Sequence, residues 1–198
     1  MGIIAFQGDV SEHVQAMERV LGGEGSVVEV RRGGIVPGCD GIVLPGGEST
    51  TISRHLARTG VGDEVRGASE SGVPIMATCA GLIVISREIV EETRFHPLGL
   101  MDVRVARNAF GSQRESFEAD IDVSGFGSPY CAVFIRAPAV VGWSRKVEVL
   151  ARIEDAAVAV RQNGLLGLAF HPELTADGRF HEMFLDMIRE VDIDVGDR

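Results

Sequence analysis

Hydrophobic and polar positions change their rhythm halfway along the chain. In the first half, short apolar runs alternate with longer amphipathic stretches. Ile3 to Gln7 reads as a first strand. Beyond it, Val10, Val14, Met17 and Leu21 recur at spacings of four, three and four, which puts them on one face of a helix. Asp9 is placed to cap that helix, with Glu12 three residues on at capping-box spacing. Gly22-Gly23 ends it, and Ser26 to Val30 supplies a second strand. Gly41 to Leu44 and Pro74 to Ala77 are unbroken apolar runs, the pattern of parallel strands buried on both faces.

The second half is richer in strands and less regular. Met101 to Ala106, Glu115 to Ile121, Cys131 to Ile135 and Val147 to Ile153 all read as strands. Ala157 to Gln162 and Leu165 to Phe170 flank Asn163-Gly164, a strong two-residue hairpin signal. Phe180, Phe184, Met187, Ile188 and Val191 then share one face of a last helix, and the acidic tail from Asp192 to Arg198 reads as loose. Repeats, linkers and low-complexity stretches are not evident, so residues 1–198 are expected to form one α/β domain. The expected architecture has three layers, with a mostly parallel central sheet and an added antiparallel strand region.

Composition narrows the classes of function. A formal net charge of −10 argues against nucleic acid and anionic membrane surfaces as partners. The chain opens directly on a strand-like run without a secretory signal, and no apolar run approaches the ~18 residues of a membrane span. Cys39, Cys79 and Cys131 are widely separated and odd in number, without a Cys-x-x-Cys pair. That recommends no metal site and points to a reducing, cytoplasmic setting.

Three segments carry candidate chemistry. In Ile75-Met76-Ala77-Thr78-Cys79-Ala80-Gly81-Leu82 an apolar run leads through small residues into one cysteine and then a second apolar run. That is the pattern of a nucleophile elbow, in which a strand turns sharply into a helix at the reactive side chain. A thiol at a helix N-terminus is favoured as thiolate. Read alone, Cys79 is equally a buried small hydrophobe. Far downstream, Phe170-His171-Pro172-Glu173 offers a base and a group to orient it, as a cysteine nucleophile requires. Read alone, this is a surface His-Pro turn. Leu44-Pro45-Gly46-Gly47-Glu48-Ser49-Thr50-Thr51 follows an apolar run, and its paired glycines can turn backbone N–H groups toward a ligand or an oxyanion. A phosphate loop would need a lysine ahead of Ser/Thr, whereas Glu48 suits a ligand that carries an ammonium group. Ser49 or Thr50 can serve as helix N-cap in the same loop.

Taken together these segments resemble the class I (triad) glutamine amidotransferases. Ala5-Phe6-Gln7-Gly8-Asp9-Val10 with Glu12-His13, Arg107-Asn108-Ala109-Phe110-Gly111, Phe134-Ile135-Arg136-Ala137-Pro138 and Phe170 to Thr175 narrow the resemblance. It is to the glutaminase-subunit family of pyridoxal 5′-phosphate synthase, and it runs from Gly2 to about Ile188. The family elbow usually has glycine two residues before the cysteine, where this chain has Ala77.

The resemblance implies a flavodoxin-like amidotransferase fold and hydrolysis of L-glutamine to glutamate and ammonia through a thioester. It implies Cys79, His171 and Glu173 as the triad, and Gly47, Glu48, Ser49, Arg107, Ile135 and Arg136 as the glutamine site. Backbone N–H groups near Gly47 and Ala80 would form the oxyanion hole. Neither cofactor nor metal is implied. The implied partner is a (β/α)8-barrel synthase subunit, in a large hetero-oligomer, that takes the ammonia and builds pyridoxal phosphate from ribose 5-phosphate and glyceraldehyde 3-phosphate. Arg107 and Arg136 suit an α-carboxylate by their planar donors, or alternatively serve surface ion pairs. The region of His13 is expected to face a partner, while His55, His96 and His181 read as surface or packing residues. Two rivals stand beside this reading. One is a glutaminase that feeds another acceptor. The other is a redox or stress-response protein of similar α/β fold, in which histidine commonly follows the elbow cysteine; here Ala80 follows.

Overall fold

Residues 1–111 and 115–196 are described by the computed structural model. Four short strands, β1 (Gly2–Ile4), β2 (Val28–Val30), β3 (Ile42–Leu44) and β4 (Ile75–Thr78), lie parallel in the order β2-β1-β3-β4. Apart from the edge strand β2, their residues are buried throughout. That burial is why they read as unbroken apolar runs. Between them run α1 (Val10–Leu21), α2 (Ser49–Thr59) and α3 (Val61–Glu70), and α4 (Ala80–Ile85) follows β4.

The same sheet continues through antiparallel strands. After β5 (Ser86–Ile89) and β6 (Met101–Ala106), β7 (Ser116–Ile121) and β8 (Tyr130–Ile135) form a separate antiparallel pair. Then come β9 (Ala139–Trp143), β10 (Glu148–Ile153), β11 (Ala156–Gln162) and β12 (Leu165–Leu168). The hairpin of β11 and β12 closes at Asn163-Gly164, with Gln162 opposite Leu165. β12 then lies parallel to β4, Leu168 opposite Thr78. The ten-stranded sheet thus runs β2-β1-β3-β4-β12-β11-β9-β6-β5, with β10 on β11. The expected α/β class holds, with its parallel core and antiparallel region.

Several boundaries differ from the sequence expectation. The first strand ends at Ile4 because the chain leaves the sheet at Ala5, whose N–H still donates to Val30 O at 2.9 Å. In α1 the buried residues are His13, Ala16, Met17 and Leu21, while Val10 and Val14 are half-buried, so the core-facing stripe is rotated toward His13. Asp9 sits at the N-cap without a side-chain cap hydrogen bond, and the Glu12 carboxylate accepts from Ser11, so the capping box is not formed. The last helix, α5 (Arg179–Gly196), runs past Asp192 instead of loosening there. No glycine or proline interrupts it before Gly196. Asp197 and Arg198 of the expected loose tail lie outside the described residues.

α1 packs on α5, and α2 packs on both α3 and α4. An aromatic cluster ties β8, the segment after β12 and α5 together. Phe170 is fully buried, with its ring 5.5 Å from Phe134, 5.8 Å from Tyr130 and 5.2 Å from Phe180. Each such pair contributes about 0.5–1.5 kcal/mol beyond area burial. Phe170 immediately precedes His171, so this packing fixes where the candidate base begins.

Candidate active site

The elbow forms where β4 ends. Cys79 has φ 48° and ψ −107°, a left-handed strained conformation for a non-glycine residue, and α4 begins at the next residue. Its N–H donates to Leu168 O at 2.8 Å, which ties the thiol to the end of β12. Gly81 allows this turn because a side chain there would collide with the Leu44 carbonyl. Ala77, two residues before the cysteine, is buried within β4, opposite Leu44 and Gly167. The strain falls at Cys79 itself, so the extra methyl is accommodated in the regular strand.

His171 follows β12 and is locked from several sides. Its N–H donates to Val133 O at 2.9 Å, and its Nδ1 lies 2.7 Å from Glu173 Oε1. A 3-10 turn over Pro172–Leu174 swings Glu173 back under the ring. The side chains of His171 and Glu173 are 4 % and 0 % exposed. Burial by itself would lower the His171 pKa, but the neighbouring Cys79 side chain and the Glu173 carboxylate on Nδ1 push it up to about 10. Burial raises the Glu173 pKa against the pull of His171. With Nδ1 held by Glu173, Nε2 is left for the thiol. Nε2 has no hydrogen-bond partner among the described residues and the Cys79 thiol lies 3.8 Å from Ile135 O, an arrangement suited to nucleophilic attack on a carbonyl and protonation of the leaving group.

Cys79 and His171 line one cavity of about 330 Å³, within the range of small-molecule sites. The loop after β3 forms one wall with Gly47, Glu48 and Ser49, and Ala80 lies beside the thiol. The opposite wall comes from Arg107 after β6 and from Ile135 and Arg136 at the end of β8. All the residues expected from the sequence are therefore brought together. Gly46 behind them is required by contact: a Cβ there would sit 2.5 Å from His171 Cε1 and 3.4 Å from Cys79 Cβ.

Glu48 differs from expectation in detail. It is itself the N-cap of α2, its carboxylate accepting from Thr50 N at 2.9 Å and Thr51 N at 2.8 Å, in place of Ser49 or Thr50. Burial would raise its pKa, and these donors outweigh that and hold it below the ordinary value. Both oxygens are thus occupied by the helix end, while the residue still lines the cavity.

Gly8, Asp9, Ile83 and Asn108 complete the lining and were not singled out from the sequence as site residues. Asn108 has φ 48° and Arg136 φ 42°, so both loops turn through left-handed residues at the cavity wall. Asparagine is the side chain that tolerates this conformation best after glycine, which was a usable signal. Asp9 Oδ2 lies 3.3 Å from His171 Nδ1. The His13 side chain itself is wholly buried, with Nε2 3.1 Å from Thr78 Oγ1 and 3.3 Å from Glu173 Oε2. His181 is buried beside it, His55 stacks on Phe6, and His96 is exposed. Among the described residues no helix is long and apolar enough to cross a membrane.

A strained cysteine between strand and helix thus lies next to a buried His–Glu pair just beyond the adjoining strand, in an open α/β sheet whose fold is that of the glutamine amidotransferases. Solved structures agree: one described as a glutamine amidotransferase superposes with a TM-score of 0.88 at 43% identity, covering 94% of this chain and 97% of that one. A putative GMP synthase component from Thermoplasma acidophilum shares the fold at a TM-score of 0.69 and 17% identity, covering 100% and 96% of the two chains. The SNO glutamine amidotransferase family matches residues 3–190, and the chain belongs to that family. Its relatives include the pyridoxal 5′-phosphate synthase subunit PdxT of Methanothrix thermoacetophila, 58% identical over 94% of this chain and 98% of the relative. The protein of the same name from Archaeoglobus fulgidus is 51% identical over 94% and 97%.

Proposed function

We propose that this chain, acting as one amidotransferase domain, hydrolyses L-glutamine to glutamate and ammonia for pyridoxal 5′-phosphate synthesis. The observation that carries the reading is the strained Cys79 in one cavity with His171, whose other nitrogen is held by buried Glu173. The Cys79 thiolate attacks the carboxamide carbon of glutamine, and the carbonyl π electrons move onto oxygen. Backbone N–H groups of Gly47 and Ala80 stabilise that oxyanion. His171 gives its proton to the leaving nitrogen, ammonia departs, and a thioester remains. The now neutral His171 takes a proton from water, whose oxygen attacks the thioester. Glutamate leaves, and the thiolate–imidazolium pair is restored.

Arg107 and Arg136 recognise the α-carboxylate through their planar donors, with Ile135 and the Gly47–Ser49 loop completing the pocket. Free ammonia is wasted unless an acceptor lies close. A (β/α)8-barrel synthase subunit is the partner we infer, in a hetero-oligomer in the reducing cytoplasm, where docking switches the glutaminase on. Glutamate release is the test, measured with and without that subunit for the native chain and for Cys79→Ala. Release that requires Cys79 and rises with the partner supports the whole reading. Cys79-dependent release indifferent to the partner removes the assignment to pyridoxal phosphate synthesis, and no release from a folded complex removes the glutaminase.

A further inference from the structure

Glu173 has two carboxylate oxygens, and the triad uses one. Oε1 lies 2.7 Å from His171 Nδ1. Oε2 is buried and accepts no well-aligned hydrogen bond among the described residues. A buried acceptor left without a donor carries the full desolvation cost of that oxygen, and more when it is charged. His13 Nε2 stands 3.3 Å from this oxygen. The same nitrogen lies 3.1 Å from the hydroxyl of Thr78, the residue before the nucleophile. One buried imidazole, delivered by the first turn of α1, therefore touches both the carboxylate behind the base and the strand end that carries the thiol.

We propose that His13 is a positioning residue for the glutaminase reaction, donating its Nε2–H to Glu173 Oε2 so that Oε1 stays on His171 Nδ1. This inference rests on the glutaminase reading of the site. The surroundings of His13 keep it neutral. Glu173 and His171 face it from the segment after β12, Thr78 from β4, and His181 from α5, with ring centroids 5.9 Å apart. Burial above all, with His181 and His171 close by, holds its pKa well below the ordinary value. His181 is itself lowered to about 4 by burial and by Arg19. Nδ1 of His13 has no partner among the described residues, while Nε2 faces the Thr78 hydroxyl, which can donate or accept, and the Glu173 carboxylate, which calls for the proton on Nε2.

Two substitutions in the full chain, assayed with the synthase subunit, separate positioning from packing. His13→Gln can place an amide N–H where Nε2 stands, and His13→Leu fills comparable space without a donor. For the Leu variant we expect kcat to fall about ten- to a hundred-fold, with KM within about twofold. The Gln variant keeps kcat within about threefold of native. The NMR titration midpoint of the His171 ring should fall in the Leu variant and hold in the Gln variant. Equal losses in both, or native kcat in the Leu variant, would overturn the proposal. A nitrogen-15 spectrum of the native protein serves as a check independent of folding in the variants: a proton on His13 Nε2 supports the proposal, and a proton on Nδ1 overturns it. Because neither NMR measurement involves glutamine turnover, failure of the glutaminase reading would appear separately, as absence of Cys79-dependent release in the native complex.

Discussion

Along the seam where β3, β4 and β12 lie side by side, the backbone leaves no spare volume. Gly46 admits no Cβ against His171, Gly81 none against Leu44, and Cys79 is bent into a left-handed turn. Across the cavity, the loops after β6 and β8 are looser in a physical sense: Arg107 is half-buried, Arg136 exposed, and their side chains end in solvent-accessible space. In the function we propose, the reacting groups sit on the first surface, and Arg107 and Arg136 face them from the second. Bond-making needs atoms fixed to a fraction of an ångström, which strand ends inside a packed sheet provide. A charged α-carboxylate can be recognised by long side chains that settle around it.

This contrast makes predictions of different size. Gly46→Ala should be the most damaging of these, lowering kcat on the order of a hundred-fold by displacing His171, with a fall in melting temperature as well. A KM effect alone would show that the seam is less rigid than its contacts imply. Arg107→Ala and Arg136→Ala should do the reverse, raising the KM for glutamine about tenfold while kcat stays within a few-fold. A large loss of kcat would put these loops in the chemistry.

The seam also stores charge, and pH tests that without substrate. His171 titrates near 10 when folded against about 6.5 unfolded, so its stabilisation is complete below about 6.5 and is lost as pH rises toward 10. The melting-temperature gap between native protein and His171→Gln should narrow over that window. A constant gap would mean the imidazolium is absent. The smallest effect belongs to Asn108→Gly, which keeps the left-handed turn and should leave KM within about twofold.

The parts of this design visible in the amino-acid string are those with local causes. An apolar run broken by small residues marks the elbow at Cys79, and Asn163-Gly164 marks the hairpin that delivers His171. What stayed hidden depends on distant neighbours. β5 is four residues, Ser86–Ile89, with a single apolar side chain directly after α4, and β9 is five residues between Pro138 and Ser144, so neither has length enough to declare a period. Glutamate is an unusual N-cap, so the preference scale pointed past Glu48 to Ser49 or Thr50. His13 is polar on an otherwise apolar helix face, and only the arrival of Thr78 and Glu173 makes that position interior.

The order of the strands has one more outcome. β12, which carries the base, is the last strand in the chain, yet it occupies the place beside β4, which carries the thiol. During synthesis Cys79 therefore emerges from the ribosome well before His171, the base we propose for it. Any fragment that stops short of Phe170 holds a thiol without its base or its orienting carboxylate. On the mechanism we propose, nascent and truncated chains should be inert toward glutamine, and the reactive pair comes into being only as the sheet takes in its final strand.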